Sequence, residues 1–282
     1  MRRALLLGLL VAAAAAAAHA PAAPPLPAPD APLPREPKRL AHELLVTTRA
    51  VHRAVDRWLA EGDPAAAPPP REVELLALRH QRIYRLLRRD DALARRVYAL
   101  LPSGLAREAR TLVGAGRGLR RITPALEARK IRTKRPLPIG VLLRHYREAE
   151  RRFGVPWHVL AAVNLVESLF GKIRTDSAAG AQGPMQFMPG TWAQYGEGDI
   201  DDPRDAIRAA ARYLRASGAP GEIDRALFAY NRSEAYVQAI RTYADLMRAD
   251  PRLYRGYYSW QVFYRHVDGD RLLPVGYDGT TG

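Results

Sequence analysis

Residues 157–171 read WHVLAAVNLVESLFG, and the fold turns on them. Pro156 precedes the stretch at a first-turn position, where a missing N–H costs nothing, and Gly171 stands where a glycine ends a helix. The spacing therefore predicts a helix over 157–171. It is apolar almost all the way round, the mark of a buried central helix. Asn164, Glu167 and Ser168 are the exceptions, and at offsets of three and four they fall along one flank. A carboxylate among Leu160, Val163 and Phe170 is costly to bury. Glu167 must be paired with an arginine, kept protonated, or set in the wall of a cleft. In the last two cases its pKa rises above a reference of about 4.3, as a general acid working near neutral pH requires.

Outward from this helix, residues 172–192 form a polar loop, KIRTDSAAGAQGPMQFMPGTW. Asp176, Ser177, Gly180 and Gly183 suit tight turns, and the two glycines allow backbone to approach a ligand. Gln186 offers both donors and acceptors, as sugar hydroxyls and N-acetyl groups demand. Met188 and Trp192 are expected in the core rather than in a carbohydrate cleft. Asp202-Pro203 starts a helix that runs to Gly218. Asp199, Asp201 and Asp202 lack the glycine and distal glutamate of a calcium loop, so Asp202 is read as a cap. A further helix, starting near Gly221, carries Ala229-Tyr230-Asn231 at the end of an apolar run.

Three motifs in order resemble the transglycosylase SLT domain family, the lytic transglycosylases of the lysozyme-like superfamily. They are Glu167-Ser168, the loop from Ser177 through Gly180-Ala181-Gln182-Gly183-Pro184-Met185-Gln186, and Ala229-Tyr230-Asn231. An Asp-Pro-x-x-Ala-Ile helix start lies between the last two. The resemblance covers residues 138–250; Pro184 stands where many members carry leucine, which stiffens the loop and removes no functional group. It implies a mostly α fold, with a lysozyme-like helical catalytic lobe that cuts the glycan of peptidoglycan. By that resemblance Glu167 is the single catalytic residue, acid then base, and the product is a 1,6-anhydro sugar. Ser177, Met185 and Gln186 would bind the N-acetylmuramic residue, Tyr230 would position Glu167 or the substrate, and Asn231 would support the cleft. Ser168 would brace the helix end. No cofactor is implied. A lysozyme-type hydrolase, with Asp176 or one of Asp199, Asp201 and Asp202 placing water, and a non-catalytic wall-binding protein stay open beside this.

The remainder supplies context. Residues 1–20 read as a secretory signal, with Arg2-Arg3, an apolar run and an A-x-A end at 18–20. An exported protein acting in the periplasm or at the cell wall is the expectation. The chain has no cysteine, which excludes a disulfide, a thiolate zinc site, a catalytic thiol and lipid attachment at cysteine. The seven histidines are scattered without metal-ligand spacing. A formal charge of +15 comes mostly from arginine and reads as solvated helix faces, with contact to an anionic wall or membrane surface as the sharper alternative. Nucleic acid is not expected as a partner, and a monomer is.

Residues 21–37 are Pro/Ala-rich and read as an extended spacer. Residues 38–135 form a basic helical region, with helices over 39–59, 71–101 (interrupted near Asp90-Asp91) and 105–121, and a basic connector over 129–138. Residues 139–153 read as a helix leading into 157–171. In the aromatic extension, 251–282, residues 260–266 and 271–275 around Asp268-Gly269 suggest a β-hairpin packed on the body.

Overall fold

The structure, a computed structural model, describes residues 25–123, 130–266 and 269–278. The signal read over 1–20 lies outside them. Among the described residues are eleven helices and one hairpin. The first four helices are α1 (Pro37–Glu61), α2 (Arg71–Arg89), α3 (Asp91–Tyr98) and α4 (Ser103–Ile122). There follow α5 (Ile139–Phe153), α6 (Trp157–Ser168), α7 (Pro189–Tyr195), α8 (Pro203–Ala216), α9 (Ile223–Tyr230), α10 (Glu234–Ala249) and α11 (Pro251–Tyr258). Strands β1 (Val262–His266) and β2 (Gly269–Leu273) pair antiparallel, with Val262 opposite Leu273 and His266 opposite Gly269. The chain is mostly α, as the sequence predicts.

Local chemistry accounts for the boundaries. Glu36 starts α1 by accepting the Lys38 and Arg39 N–H groups at 2.9 and 2.7 Å. Asp90 ends α2 and starts α3, its carboxylate accepting from Leu93 N at 2.9 Å, so the interruption expected there is a cap. Gly154 ends α5 at φ +73°, a left-handed conformation that glycine adopts without strain. Asp202 caps α8 through the Arg204 and Asp205 N–H groups, as read from the sequence. Asp250 does the same for α11.

The predicted helix over 157–171 stops earlier. α6 ends at Ser168, and Leu169, Phe170 and Gly171 all take positive φ, +53°, +62° and +83°. The cause is tertiary: the Ser168 hydroxyl donates to Pro184 O at 2.5 Å and accepts Gly171 N–H at 2.9 Å. That bond ties the helix end to the loop beyond it.

One apolar core runs from Leu40 in α1 to Trp260 after α11 and is continuous across the 129–138 connector. α10 packs on both α4 and α6, so the N-terminal helices and the central helix share a neighbour. A smaller cluster of Ile131, Val262, Leu273 and Tyr277 seats the hairpin on the connector. Thr133 is bonded there three times: its N–H donates to Tyr277 O at 2.8 Å, and its hydroxyl donates to Pro274 O at 2.7 Å and accepts Tyr277 N–H at 2.9 Å. Tyr254, Tyr257, Tyr258 and Trp260 are buried. The buried ammonium of Lys172 donates to Tyr258 O at 2.5 Å and to Trp260 O, locking the extension to the segment after α6.

The Pro/Ala-rich spacer departs from expectation in its described part. Arg79 donates to Ala31 O and Pro32 O at 2.7 and 3.0 Å, and Arg82 donates to Pro29 O and Ala31 O at 2.8 and 2.9 Å. An extended proline-rich backbone leaves its carbonyls unpaired, and two guanidinium forks on α2 take them up. The segment thus lies on the helical body instead of standing off it.

Candidate active site

The end of α6, the loop that follows it, the end of α9 and the start of α10 meet around Glu167. Asn164, one turn earlier, is buried and joins three elements. Tyr146 OH from α5 donates to its Oδ1 at 2.5 Å, and its Nδ2 donates to Pro184 O at 2.8 Å and Ser168 Oγ at 3.2 Å. Two of the three polar exceptions on α6 are therefore fully satisfied structural groups. Glu167 is the third, and it is half-buried.

Among the described residues its one hydrogen bond is from Tyr236 OH to Oε1, at 2.6 Å. Burial pushes its pKa up to about 7, against the Tyr236 bond, which favours the charged form. No guanidinium pairs with it among the described residues, so the structural ion pair allowed by the sequence is not formed. A carboxyl that titrates near neutrality can give a proton and take one back within the same reaction.

The loop is built as a tight turn over 182–187. Gln182 N–H donates to Phe187 O and Phe187 N–H to Gln182 O, at 2.9 and 2.8 Å. Gly183 (φ +71°) packs its α-carbon so closely on Ile200 O that a Cβ would lie 2.2 Å from it, which requires glycine. Gln186 also takes a positive φ, +51°, and its Nε2 donates to Gly183 O at 2.9 Å. Its amide oxygen accepts no hydrogen bond among the described residues. A non-glycine residue in that region signals local strain of the kind found at ligand sites. Ser177 Oγ accepts Ala181 N–H at 2.9 Å and shapes the preceding turn.

The predicted site residues separate on inspection. Met185 is fully buried, so its side chain belongs to the core beneath the turn. Its carbonyl accepts Tyr230 OH at 2.7 Å. Tyr230 therefore holds the turn, and the hydroxyl that reaches Glu167 is that of Tyr236. The two rings stack, 5° from parallel with centroids 6.4 Å apart. Asn231 is exposed at the end of α9. Met188 is 44% exposed, contrary to the core position expected for it, because it is the residue that precedes α7 at the surface. Trp192 packs edge-on against Phe187, with centroids 5.6 Å apart. Tyr236 escaped the sequence reading. It is one of thirteen tyrosines, three residues into a helix, and nothing local sets it apart. Among the described residues no cluster of three or more His, Cys, Asp or Glu is arranged for a metal ion, and no helix is long and apolar enough to cross a membrane.

Comparison with known proteins adds a family to this geometry. The chain is 30% identical over 159 residues to membrane-bound lytic murein transglycosylase F of Thiobacillus denitrificans, a match covering 50% of this chain and 34% of that protein. It is 32% identical over 114 residues to the protein of the same name from Alcanivorax borkumensis, covering 38% of this chain and 24% of that one. The chain thus matches about a third or less of the length of these relatives. No solved structure matches it. The family model described as Transglycosylase SLT domain matches residues 144–246, a span that holds Glu167, the 182–187 turn, Tyr230 and Tyr236. Residues 144–246 are a Transglycosylase SLT domain.

Proposed function

We propose that the chain is an exported peptidoglycan lytic transglycosylase. It cleaves the β-1,4 bond between N-acetylmuramic acid and N-acetylglucosamine and leaves a 1,6-anhydro-muramic end. The observation that carries this is the Glu167 carboxyl, half-buried, paired with no cation among the described residues, and with a pKa pushed up to about 7 by burial. Hydrolytic glycosidases use two carboxyls, about 5–5.5 Å apart for retention and about 6.5–9.5 Å for inversion. Among the described residues Glu167 has a single tyrosine hydroxyl as its partner, and burial and that hydroxyl are the two influences on its proton affinity.

In the first step protonated Glu167 donates to the glycosidic oxygen as the bond to C1 breaks. In the second, the carboxylate removes the proton from the C6 hydroxyl of the same muramic residue as its oxygen attacks C1. No water is consumed, and Glu167 ends protonated. Tyr236 holds Oε1, leaving Oε2 for the glycosidic oxygen. Ser177, Gln186 and Asn231 serve as the polar groups of the sugar site. Tyr230 and the buried Met185 fix the turn that presents Gln186.

The test is mass spectrometry of products from purified peptidoglycan, with Glu167→Gln alongside. Anhydro-muropeptides, lighter by one water and absent with the variant, are expected. Reducing-end products would replace this reading with a hydrolase, and no products from folded protein would replace it with a wall-binding role.

A further inference from the structure

The outer side of α4 is a basic stripe. Ser103, Arg107, Arg110, Gly114, Arg117 and Arg121 recur at intervals of three and four, so they share one face of the helix. At a rise of about 1.5 Å per residue that face is about 27 Å long. It is exposed throughout except at Arg117, which is half-buried and bonded to Asp91 at 2.5 Å. Arg107, Arg110 and Arg121 pair with no carboxylate among the described residues. Glu108, the one acidic residue of α4, lies on another flank with its Oε1 buried.

The stripe continues onto α3. The Arg110 guanidinium lies over the Tyr98 ring, 5.5 Å from its centroid. Arg95, exposed on α3, shares Asp91 with Arg117 and binds it at 2.9 Å. Five arginines of the two helices thus meet one exposed carboxylate. Two further residues on this side serve no packing purpose. Leu100, three positions before Ser103, is 54% exposed, the most exposed large apolar side chain among the described residues. Gly114 weakens the middle of a helix, and packing does not require it, since a Cβ there would meet nothing within 4 Å.

We propose that the α3–α4 face docks on an anionic phospholipid bilayer, with Leu100 entering the headgroup layer. The unpaired arginines match a negative lipid surface, and each guanidinium can bond a phosphate through two N–H groups. A soluble anionic polymer would satisfy the charge but offers no apolar layer for Leu100. A straight helix face without groove walls suits a plane better than a single strand, and Gly114 lets that plane approach the backbone between Arg110 and Arg117. α4 packs along α10, the helix that carries Tyr236, so docking fixes the attitude of the SLT domain to the bilayer. The proposal is independent of the cleavage reaction.

The experiment is flotation of the exported chain, residues 21–282, with vesicles of phosphatidylglycerol and phosphatidylcholine and with vesicles of phosphatidylcholine alone. Leaving out residues 1–20 keeps the apolar run of the signal from taking part. Binding to the anionic vesicles only, weakening steeply with salt, is expected. Replacing Arg107, Arg110 and Arg121 together with Gln should weaken it about 100-fold. Arg144, Arg147 and Arg151 are exposed on α5. Replacing those three with Gln removes the same charge elsewhere and should cost less than about threefold. Leu100→Gln should weaken binding about tenfold at unchanged charge. Thermal melts establish that each variant is folded. Equal losses from the two triple variants would reduce the effect to net charge and overturn the proposal. So would absence of binding to anionic vesicles, or unchanged binding by Leu100→Gln. Tighter binding to polygalacturonate than to vesicles, lost in the α4 triple variant, would replace the bilayer with an anionic polymer.

Discussion

Tyr236 and burial act on Glu167 in opposite directions, and two measurements separate them. Replacing Tyr236 with Phe leaves burial unopposed, so the Glu167 pKa rises above about 7. The proposed reaction needs the protonated acid first, so its rate falls as pH rises through that pKa. Tyr236→Phe should move this alkaline limb to higher pH while lowering kcat about 10- to 100-fold, the range for a lost hydrogen bond to a charged group. A pH–rate profile checks both, and an unmoved limb would separate the tyrosine from the acid. Stability gives the second measurement. Glu167 has a folded pKa of about 7 against an ordinary 4.5. The folded state therefore holds the proton more tightly, and that contribution is complete below about pH 4.5 and lost as pH rises through 7. Above pH 7 the ionised carboxyl destabilises the fold by about 3 kcal/mol. Glu167→Gln should accordingly be more stable than wild type at pH 8, by a margin that shrinks toward pH 4.5, as denaturant titrations at the two pH values would show. At this scale the sequence was legible where a residue broke a pattern: a lone carboxylate on an apolar helix, or Gln186 in a glycine-flanked turn. It was silent on Tyr236, whose role comes from the packing of α10 against α6.

Among elements, the junction of α5, α6 and the 182–187 turn is held by Asn164. It bonds Tyr146, Pro184 and Ser168 from inside the core. Asn164→Ala would strand the Tyr146 hydroxyl and leave the Pro184 carbonyl to Ser168 alone. The expected loss is about 2–4 kcal/mol in a denaturation experiment, as for a broken buried network. Cleavage should fall as well, because the turn that presents Gln186 loses an anchor to the helix that carries Glu167. A variant as stable as wild type would show that Ser168 suffices. Amphipathic spacing revealed the helices here because each buries one stripe: α5 covers the span read from the sequence, and α1 and α4 extend it by about two residues at each end. The end of α6 was not legible. Gly171 carries the local signal for a stop, but the helix yields three residues earlier to a bond between Ser168 and a carbonyl 16 positions away. The spacer at 29–32 was misjudged for a related reason, since its composition says extended while Arg79 and Arg82 on α2 decide what it rests on.

For the molecule as a whole, the continuous core makes the N-terminal helices part of the same folding unit as the SLT domain. α4 packs along α10, and Gly118 lets the two backbones approach at Ala235. Tyr254 and Tyr258 of α11 donate to Ile139 O and Leu137 O at 3.0 and 2.8 Å, so the C-terminal extension also grips the entrance to α5. Composition alone pointed to a boundary at 129–138, because basic, proline-containing stretches often separate domains; burial crosses it. Urea unfolding should therefore be a single transition. Circular dichroism and the fluorescence of a variant retaining only Trp58, which is buried in α1, should report the same midpoint. Two separated midpoints would mean that the N-terminal helices unfold on their own. A chain shortened to begin at Leu137 would expose the apolar face of α10 that α4 now covers. Such a fragment is expected to aggregate or to lack a cooperative melt, since several buried aliphatic side chains, each worth about 1.5–3 kcal/mol, would face water. If it instead melted cooperatively at the full chain's Tm, the shared core would contribute little, and residues 38–135 would be a separable module.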